Sequence, residues 1–322
     1  MPYLTEKSSG SISTVVLGAT KENGGTRGYT LTIGGQNSLP FQNYEGVDPH
    51  RAVIAAEILD IEPVSWPDEL KKAWGGVLGD PAAWAKKAVE GGADMVYIKL
   101  LSADPDNGGR SANDCAETVR AVLEAVPCPV AVQGCGVDEI DKGVISKVAE
   151  AFAGENLLLG LAGQENYATV TAACMVHKHT LISSSPLDIN ICKQINILIS
   201  EMNMPMNRVV IDPSIGGLGY GLEYSYSVME RGRIGSLQGD KMLAMPVIGF
   251  IGSEAWKAKE AQAHESDFPK WGSEAERGVL WETITATSLL QAGIDILVMR
   301  HPDAINIVKA QIEALSQPVT AA

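Results

Sequence analysis

Val53-Ile-Ala-Ala-Glu-Ile-Leu59-Asp60-Ile61-Glu62 decides the fold. Its first seven residues, apolar at six of the seven positions, form a run of strand length, the pattern of a strand buried on both faces of a parallel sheet. An open doubly wound sheet would follow such a first strand with a glycine-rich phosphate turn. Here the strand runs into Asp60-Ile61-Glu62 instead. Seven more apolar runs follow: Met95 to Leu100, Pro129 to Gln133, Leu157 to Leu161, Thr180 to Ser184, Val209 to Asp212, Val247 to Ile251 and Ile296 to Met299. Between them lie stretches of helical period. Pro81 to Glu90 is opened by Asp80 as N-cap and closed by Gly91-Gly92, and Ser111 to Val126 carries Asp114 three residues after its cap. Asp141 to Ala153, Tyr167 to His177, Asp188 to Met202, Tyr224 to Gly239, Glu276 to Gln291 and Asp303 to Leu315 supply the rest. Eight strands alternating with eight helices imply an α/β fold, the (β/α)₈ TIM barrel, over residues 47–322.

Residues 1–46 fall outside the repeat. Thr14 to Leu17 and Tyr29 to Ile33 read as two strands joined by the loop Gly24-Gly25-Thr26-Arg27-Gly28, an antiparallel ribbon closing the amino-terminal mouth of the barrel. Two connections are longer than a barrel needs, 60–80 with Trp66 and Trp74, and 252–275 with Trp256, His264 and Trp271. Both follow strands, so both belong to the face where barrels work.

The chain carries a formal net charge of −14, which opposes general affinity for nucleic acid or anionic lipid, because phosphate contacts need clustered cations. The amino-terminal residues Met1 to Lys7 lack a basic cluster followed by an apolar stretch, and no run reaches membrane-spanning length. The expectation is a cytoplasmic protein. Cys115, Cys128, Cys135, Cys174 and Cys192 contain no C-x₂-C pair, so neither a disulfide framework nor a self-contained iron–sulfur or zinc site is indicated, and at least four read as buried thiols.

Residues at the strand carboxyl ends are the candidates for chemistry: Asp60, Lys99, Gln133, Glu165 with Asn166, Ser185, Asp212 with Ser214, Ser253, and Arg300 with His301. Lys99 is either a Schiff-base amine or a lysine paired with a strand-end carboxylate. His177-Lys178-His179 ends a helix on the far side and reads as structural. Arg300-His301 either holds an anion or caps the last helix. Ile211-Asp-Pro-Ser-Ile-Gly-Gly-Leu-Gly-Tyr-Gly221 puts four glycines within six residues, which brings backbone close to a ligand or another chain, or else makes a tight turn.

Six stretches carry a family resemblance: Val-Val-Leu-Gly-Ala-Thr-Lys (15–21), Gly-Gly-Thr-Arg (24–27), Gly-Glu-Asn-Leu-Leu-Leu-Gly (154–160), Ala-Ala-Cys-Met-Val-His-Lys-His (172–179), Ser-Pro-Leu-Asp-Ile-Asn-Ile-Cys-Lys-Gln (185–194) and the glycine-rich 211–221. Together they resemble the small, delta-type subunit of the corrinoid iron–sulfur protein of the carbon monoxide dehydrogenase/acetyl-CoA synthase system. That resemblance implies a non-catalytic barrel paired with a large subunit that holds a [4Fe-4S] cluster and a cobamide. The heterodimer would take a methyl group from methyltetrahydrofolate, through a methyltetrahydrofolate:corrinoid methyltransferase, to acetyl-CoA synthase in the reductive acetyl-CoA pathway of anaerobes. The barrel would shield the cobamide at the subunit interface. The expected cofactor-facing residues are Asp212, Ser214, Gly216, Gly217, Tyr220 and Gly221, with Asn166, Phe250, Arg300 and His301; no metal ligand is expected. The alternative is a pterin-dependent corrinoid methyltransferase acting itself. Asp212 suits it, but the seventh strand, Val247-Ile-Gly-Phe-Ile-Gly-Ser253, has no Asn where such an enzyme would contact the pterin. The glycine run and the Trp-bearing loops are expected to form the contact with the large subunit.

Overall fold

The computed structural model describes residues 6–316; residues 1–5 of the extension and 317–322 of the barrel segment lie outside the described residues. The barrel strands are β3 (Val53–Leu59), β4 (Met95–Lys99), β5 (Val130–Gln133), β6 (Leu158–Ala162), β7 (Thr180–Ser184), β8 (Val209–Asp212), β9 (Ile248–Gly249) and β10 (Ile296–Met299). They pair in parallel in the order β8-β7-β6-β5-β4-β3-β10-β9. A parallel bridge between Ile211 and Val247, with Ile211 N donating to Pro246 O at 2.8 Å, joins the two ends of that order. Closure leaves no free sheet edge.

The helices α1 (Asp68–Trp74), α2 (Pro81–Glu90), α3 (Ala112–Ala125), α4 (Asp138–Ala151), α5 (Tyr167–His177), α6 (Ile189–Glu201), α7 (Leu222–Leu237), α8 (Ile251–Ala255), α9 (Lys259–Gln262), α10 (Glu274–Ala292) and α11 (Pro302–Leu315) follow the strands. The expected caps form. The Asp80 carboxylate accepts from Ala82 N and Ala83 N, and Ser111 with Asp114 makes a reciprocal capping box. α4 begins three residues earlier than its pattern implied, at Asp138, and is preceded by Val137.

The seventh strand is the clearest departure. It keeps only Ile248–Gly249, and Ile251 already opens α8. Close packing accounts for the turn: a Cβ on Gly252 would lie 2.7 Å from Arg300 N, so the chain passes against β10 only as glycine.

β1 (Val15–Leu17) and β2 (Leu31–Ile33) form the antiparallel ribbon. Val15, Leu17 and Ile33 are fully buried in the cluster that fills the barrel interior, with Val53, Ala55, Met95, Tyr97, Ala131, Leu158 and Val210. The ribbon therefore plugs the amino-terminal mouth. Two buried ionic clusters fasten it. Arg27 reaches the carbonyls at the end of α3 and the Glu155 carboxylate, and Gln36 joins the buried Arg233–Asp295 ion pair. A cavity of about 80 Å³ in this seam is lined by Gln36, Asp48, Arg51, Arg233 and Asp295. It lies opposite the strand carboxyl ends.

Candidate functional site

Side chains alternate between two faces along a strand, so residues two apart share the barrel interior. Val53 and Ala55, Met95 and Tyr97, Ala131, Ile182, Val210, Ile248, and Ile296 and Val298 are the apolar interior. The next positions of the same parity are Glu57, Lys99, Gln133, Ser184, Asp212, Phe250 and Arg300. Charged and polar groups thus form a floor on an apolar column at the strand carboxyl ends. Register places Glu57 beside Tyr97, and Lys99 beside Gln133.

Glu57 is fully buried. Arg300 donates to its Oε1 from Nε at 2.9 Å and Nη2 at 2.6 Å, and Lys99 Nζ lies 3.2 Å from its Oε2. Burial works to raise the Glu57 carboxyl, but the two cations outweigh it and hold the group below the usual carboxylate range. Of the two readings of Lys99, the geometry selects the ion pair. Tyr97 Oη donates to Gln133 Oε1 at 2.9 Å, and its ring meets Phe250 edge-on at 5.2 Å. Lys99 Nζ sits 5.4 Å from the centre of the Phe250 ring.

Asp212 is buried across the floor. Ser184 Oγ donates to it at 2.7 Å and Ser214 N at 2.9 Å, while burial pushes its carboxyl up to about 6. Ser214 adopts a left-handed φ of 54°, and its hydroxyl donates to Ser185 O at 2.7 Å. Both Asp212 oxygens are therefore engaged.

The other sequence candidates serve the loops. Asn166 is buried and ties its own loop, donating to Asp138 Oδ1 and Leu161 O and accepting from Gly163 N. Asp60 accepts from Ser102 N and Ser102 Oγ. His301 caps α11, its Nδ1 accepting from Asp303 N at 3.1 Å, with its ring stacked on Trp256 at 5.8 Å. Arg300 and His301 thus part company: one faces the mouth, the other ends a helix.

Gly216 and Gly217 are required for contacts within the chain. A Cβ on Gly216 would lie 2.6 Å from Tyr220 O, and one on Gly217 3.1 Å from Glu254 O. Gly219 and Gly221 hold left-handed φ of 78° and 98°. Leu218 then docks on α10, its N donating to Thr285 Oγ1 and its O accepting from Trp281 Nε1. This folding leaves Tyr220 88 % exposed and Tyr224 63 % exposed.

The tryptophans of the two long loops mostly turn inward. Trp66, Trp74 and Trp256 are buried, the first two packing on Trp84, and only Trp271 of that set is exposed. The apolar surface of the rim comes instead from Val64, Val137, Leu187, Tyr220 and Tyr224, on the segments following β3, β5, β7 and β8.

Glu57, Tyr97, Ser184 and Glu282 were missed from sequence. For the first three the signal was the period-two parity, which had to be carried along each strand. Glu282 lies on α10 and is fully buried beneath the mouth, accepting from Arg300 N at 2.5 Å, Trp256 Nε1 at 2.7 Å and His301 N at 3.1 Å. Nothing local in the helical pattern distinguishes it.

Four of the cysteines are buried and none is paired; among the described residues no group of three His, Cys, Asp or Glu side chains is placed to hold a metal ion. No described helix is long and apolar enough to cross a membrane.

Among solved structures, the fold is similar to dihydropteroate synthase from Xanthomonas albilineans (TM-score 0.56, 12 % identity, 85 % of this chain and 96 % of that one). The Thermus thermophilus enzyme also matches, with TM-score 0.53 and 16 % identity over 88 % of this chain and 99 % of that one. At those identities the likeness establishes the barrel alone. Sequence relatives reach further. The acetyl-CoA decarbonylase/synthase complex subunit delta of Archaeoglobus fulgidus is 38 % identical over 99 % of this chain and 71 % of its own length. Subunit delta 1 of Methanosarcina thermophila is 35 % identical over 94 % and 70 %, and subunit delta of Methanopyrus kandleri 32 % over 96 % and 76 %. The profile of the CO dehydrogenase/acetyl-CoA synthase delta subunit, CdhD, matches residues 14–313, ribbon and barrel together. The chain belongs to the CO dehydrogenase/acetyl-CoA synthase delta subunit family.

Proposed function

We propose that this chain is the small subunit of a heterodimeric corrinoid iron–sulfur methyl carrier, with its strand-carboxyl mouth turned toward a cobamide held mainly by a large subunit. The observation that carries the reading is the exposed apolar rim of Val64, Val137, Leu187, Tyr220 and Tyr224 around a polar floor. Such surface on a barrel mouth suits a partner that excludes water. A corrin ring, apolar in its faces and amide-bearing at its edge, matches a rim of that kind. When bound, the cobamide supplies a cobalt that accepts and releases a methyl group, chemistry that benefits from a water-poor lid. On this reading the methyl group comes from methyltetrahydrofolate through a separate methyltransferase and goes on to acetyl-CoA synthase. This chain's own part is to cover and position. The engagement of Asp212 by Ser184 and Ser214, and of Lys99 by Glu57, supports a covering role over an acid–base one.

The test mixes the purified chain with a corrinoid iron–sulfur large subunit and follows complex formation by native mass spectrometry. A one-to-one complex is expected, with slowed amide exchange over 216–224. Replacing Tyr220 and Tyr224 together by Asp should weaken it at least about tenfold, about 1.4 kcal/mol, with the circular dichroism unchanged. Methyl transfer from methyltetrahydrofolate to free cobalamin by this chain alone would instead establish the methyltransferase alternative.

A further inference from the structure

We infer that the floor of the mouth is a binding site for one carboxylate, held between Lys99 and Arg300 against the Phe250 ring. The inference concerns the isolated chain and does not depend on a large subunit.

Charge at the floor is unevenly shared. Two cations converge on the single carboxylate of Glu57, which is completely buried and accessible to no other partner. Arg300 spends Nε and Nη2 on one oxygen of that carboxylate, and Lys99 spends one contact on the other. Among the described residues, Arg300 Nη1, the remaining Lys99 N–H groups and Gln133 Nε2 have no hydrogen-bond partner, the Gln133 oxygen being taken by Tyr97. The Lys99 and Arg300 side chains each keep 13 % exposure at the strand carboxyl ends. Asp212 is the other carboxylate of the floor; its oxygens are occupied by Ser184 and Ser214, while its charge also acts on Lys99.

A guanidinium with a spare N–H beside an ammonium and an amide N–H is a donor set for a planar, monoanionic acceptor. The Phe250 ring, already against Lys99, adds an apolar wall for whatever carries the carboxylate. A phosphate dianion would bring three oxygens and a second charge, more than this donor set and the Glu57 charge accommodate. The class indicated is therefore a carboxylate on an apolar or aromatic body.

The experiment uses the full chain, with sodium benzoate as probe and benzamide as its neutral counterpart, read by calorimetry and by NMR shifts. Saturable benzoate binding is expected, with benzamide at least about tenfold weaker. Arg300→Gln and Lys99→Gln should each weaken benzoate about tenfold. Glu57→Gln should tighten it about tenfold, because both cations lose their shared counter-charge; a merely structural role for Glu57 would not produce tightening. Should Glu57→Gln fail to fold, Asp212→Asn removes a neighbouring negative charge and must shift affinity in the same direction. Equal binding of benzamide, absence of saturation, or weaker benzoate binding in the folded Glu57→Gln chain would overturn the inference. Inorganic phosphate binding more tightly than benzoate would overturn the carboxylate assignment.

Discussion

Arg27→Met is expected to lower the unfolding free energy by about 3–5 kcal/mol, the cost typical of removing one partner from a buried charged network. Arg27 is 4 % exposed. Its Nη1 donates to Val126 O at 2.7 Å and its Nη2 to Leu123 O at 2.7 Å, satisfying carbonyls that the end of α3 leaves open. Its Nε donates to Glu155 Oε2 at 3.3 Å, and Thr26 N donates to the same oxygen at 3.1 Å. Methionine fills much of the space but leaves those carbonyls and the Glu155 charge without it. Because the network joins the ribbon to the end of α3 and to Glu155, amide exchange across β1 and β2 should accelerate in step with the loss. A urea midpoint within error of the parent would remove the clamp from the account of stability.

Glu282→Gln carries the second large effect, and its signature is a dependence on pH. Burial pushes the Glu282 carboxyl from the ordinary 4.5 up to about 7, against the opposing pull of the N–H groups of Arg300, Trp256 and His301. The folded chain therefore keeps a proton that the unfolded chain releases between those values. The stability linked to that proton is fully present below about pH 4.5 and is lost as pH rises through about 7, an amount on the order of 3 kcal/mol. Glutamine cannot titrate, and its single oxygen serves three N–H donors poorly. The variant should be less stable throughout, with a deficit largest below about pH 4.5 that shrinks as pH rises through about 7. His179, lowered by burial to about 4, imposes the opposite trend below about 6.5, but it is common to both chains and drops out of the difference. A deficit independent of pH would show that Glu282 does not hold the proton.

These two residues also mark where sequence reasoning stopped. Gly24-Gly25-Thr26-Arg27 was legible as a loop between two strands and as part of a family resemblance, yet nothing in it announces that Arg27 reaches the end of α3, residues 123–128, a hundred positions away. Glu282 stands in a helix whose periodicity allows a surface glutamate as readily as a buried one, and only packing against Trp256 and β10 decides between them.

The mouth divides in the same way. Lys99, Gln133, Asp212 and Arg300 were recognisable because a parallel barrel works at its strand ends, and the structure gathers them on one floor. Asn166 and His301 satisfied the same positional rule but turned into loop and cap, because their side chains found backbone partners within a few residues. Trp66, Trp74 and Trp256 followed strands as expected and then folded inward, since burying indole surface is worth more than presenting it to water.

Alternation of apolar strands with capped helical segments determined the barrel from sequence, since period and cap chemistry are local properties that survive whatever the chain packs against. The ribbon at the amino end was equally local. Which side chains meet across the mouth, which tryptophans stay on the surface, and which carboxylate counters Lys99 and Arg300 were settled only by the closed barrel. The parallel pairing of β4, β3 and β10 brings Glu57, Lys99 and, just past β10, Arg300 within contacts of 3.2 Å or less, and the energy of a charge depends on neighbours that no single stretch of sequence contains.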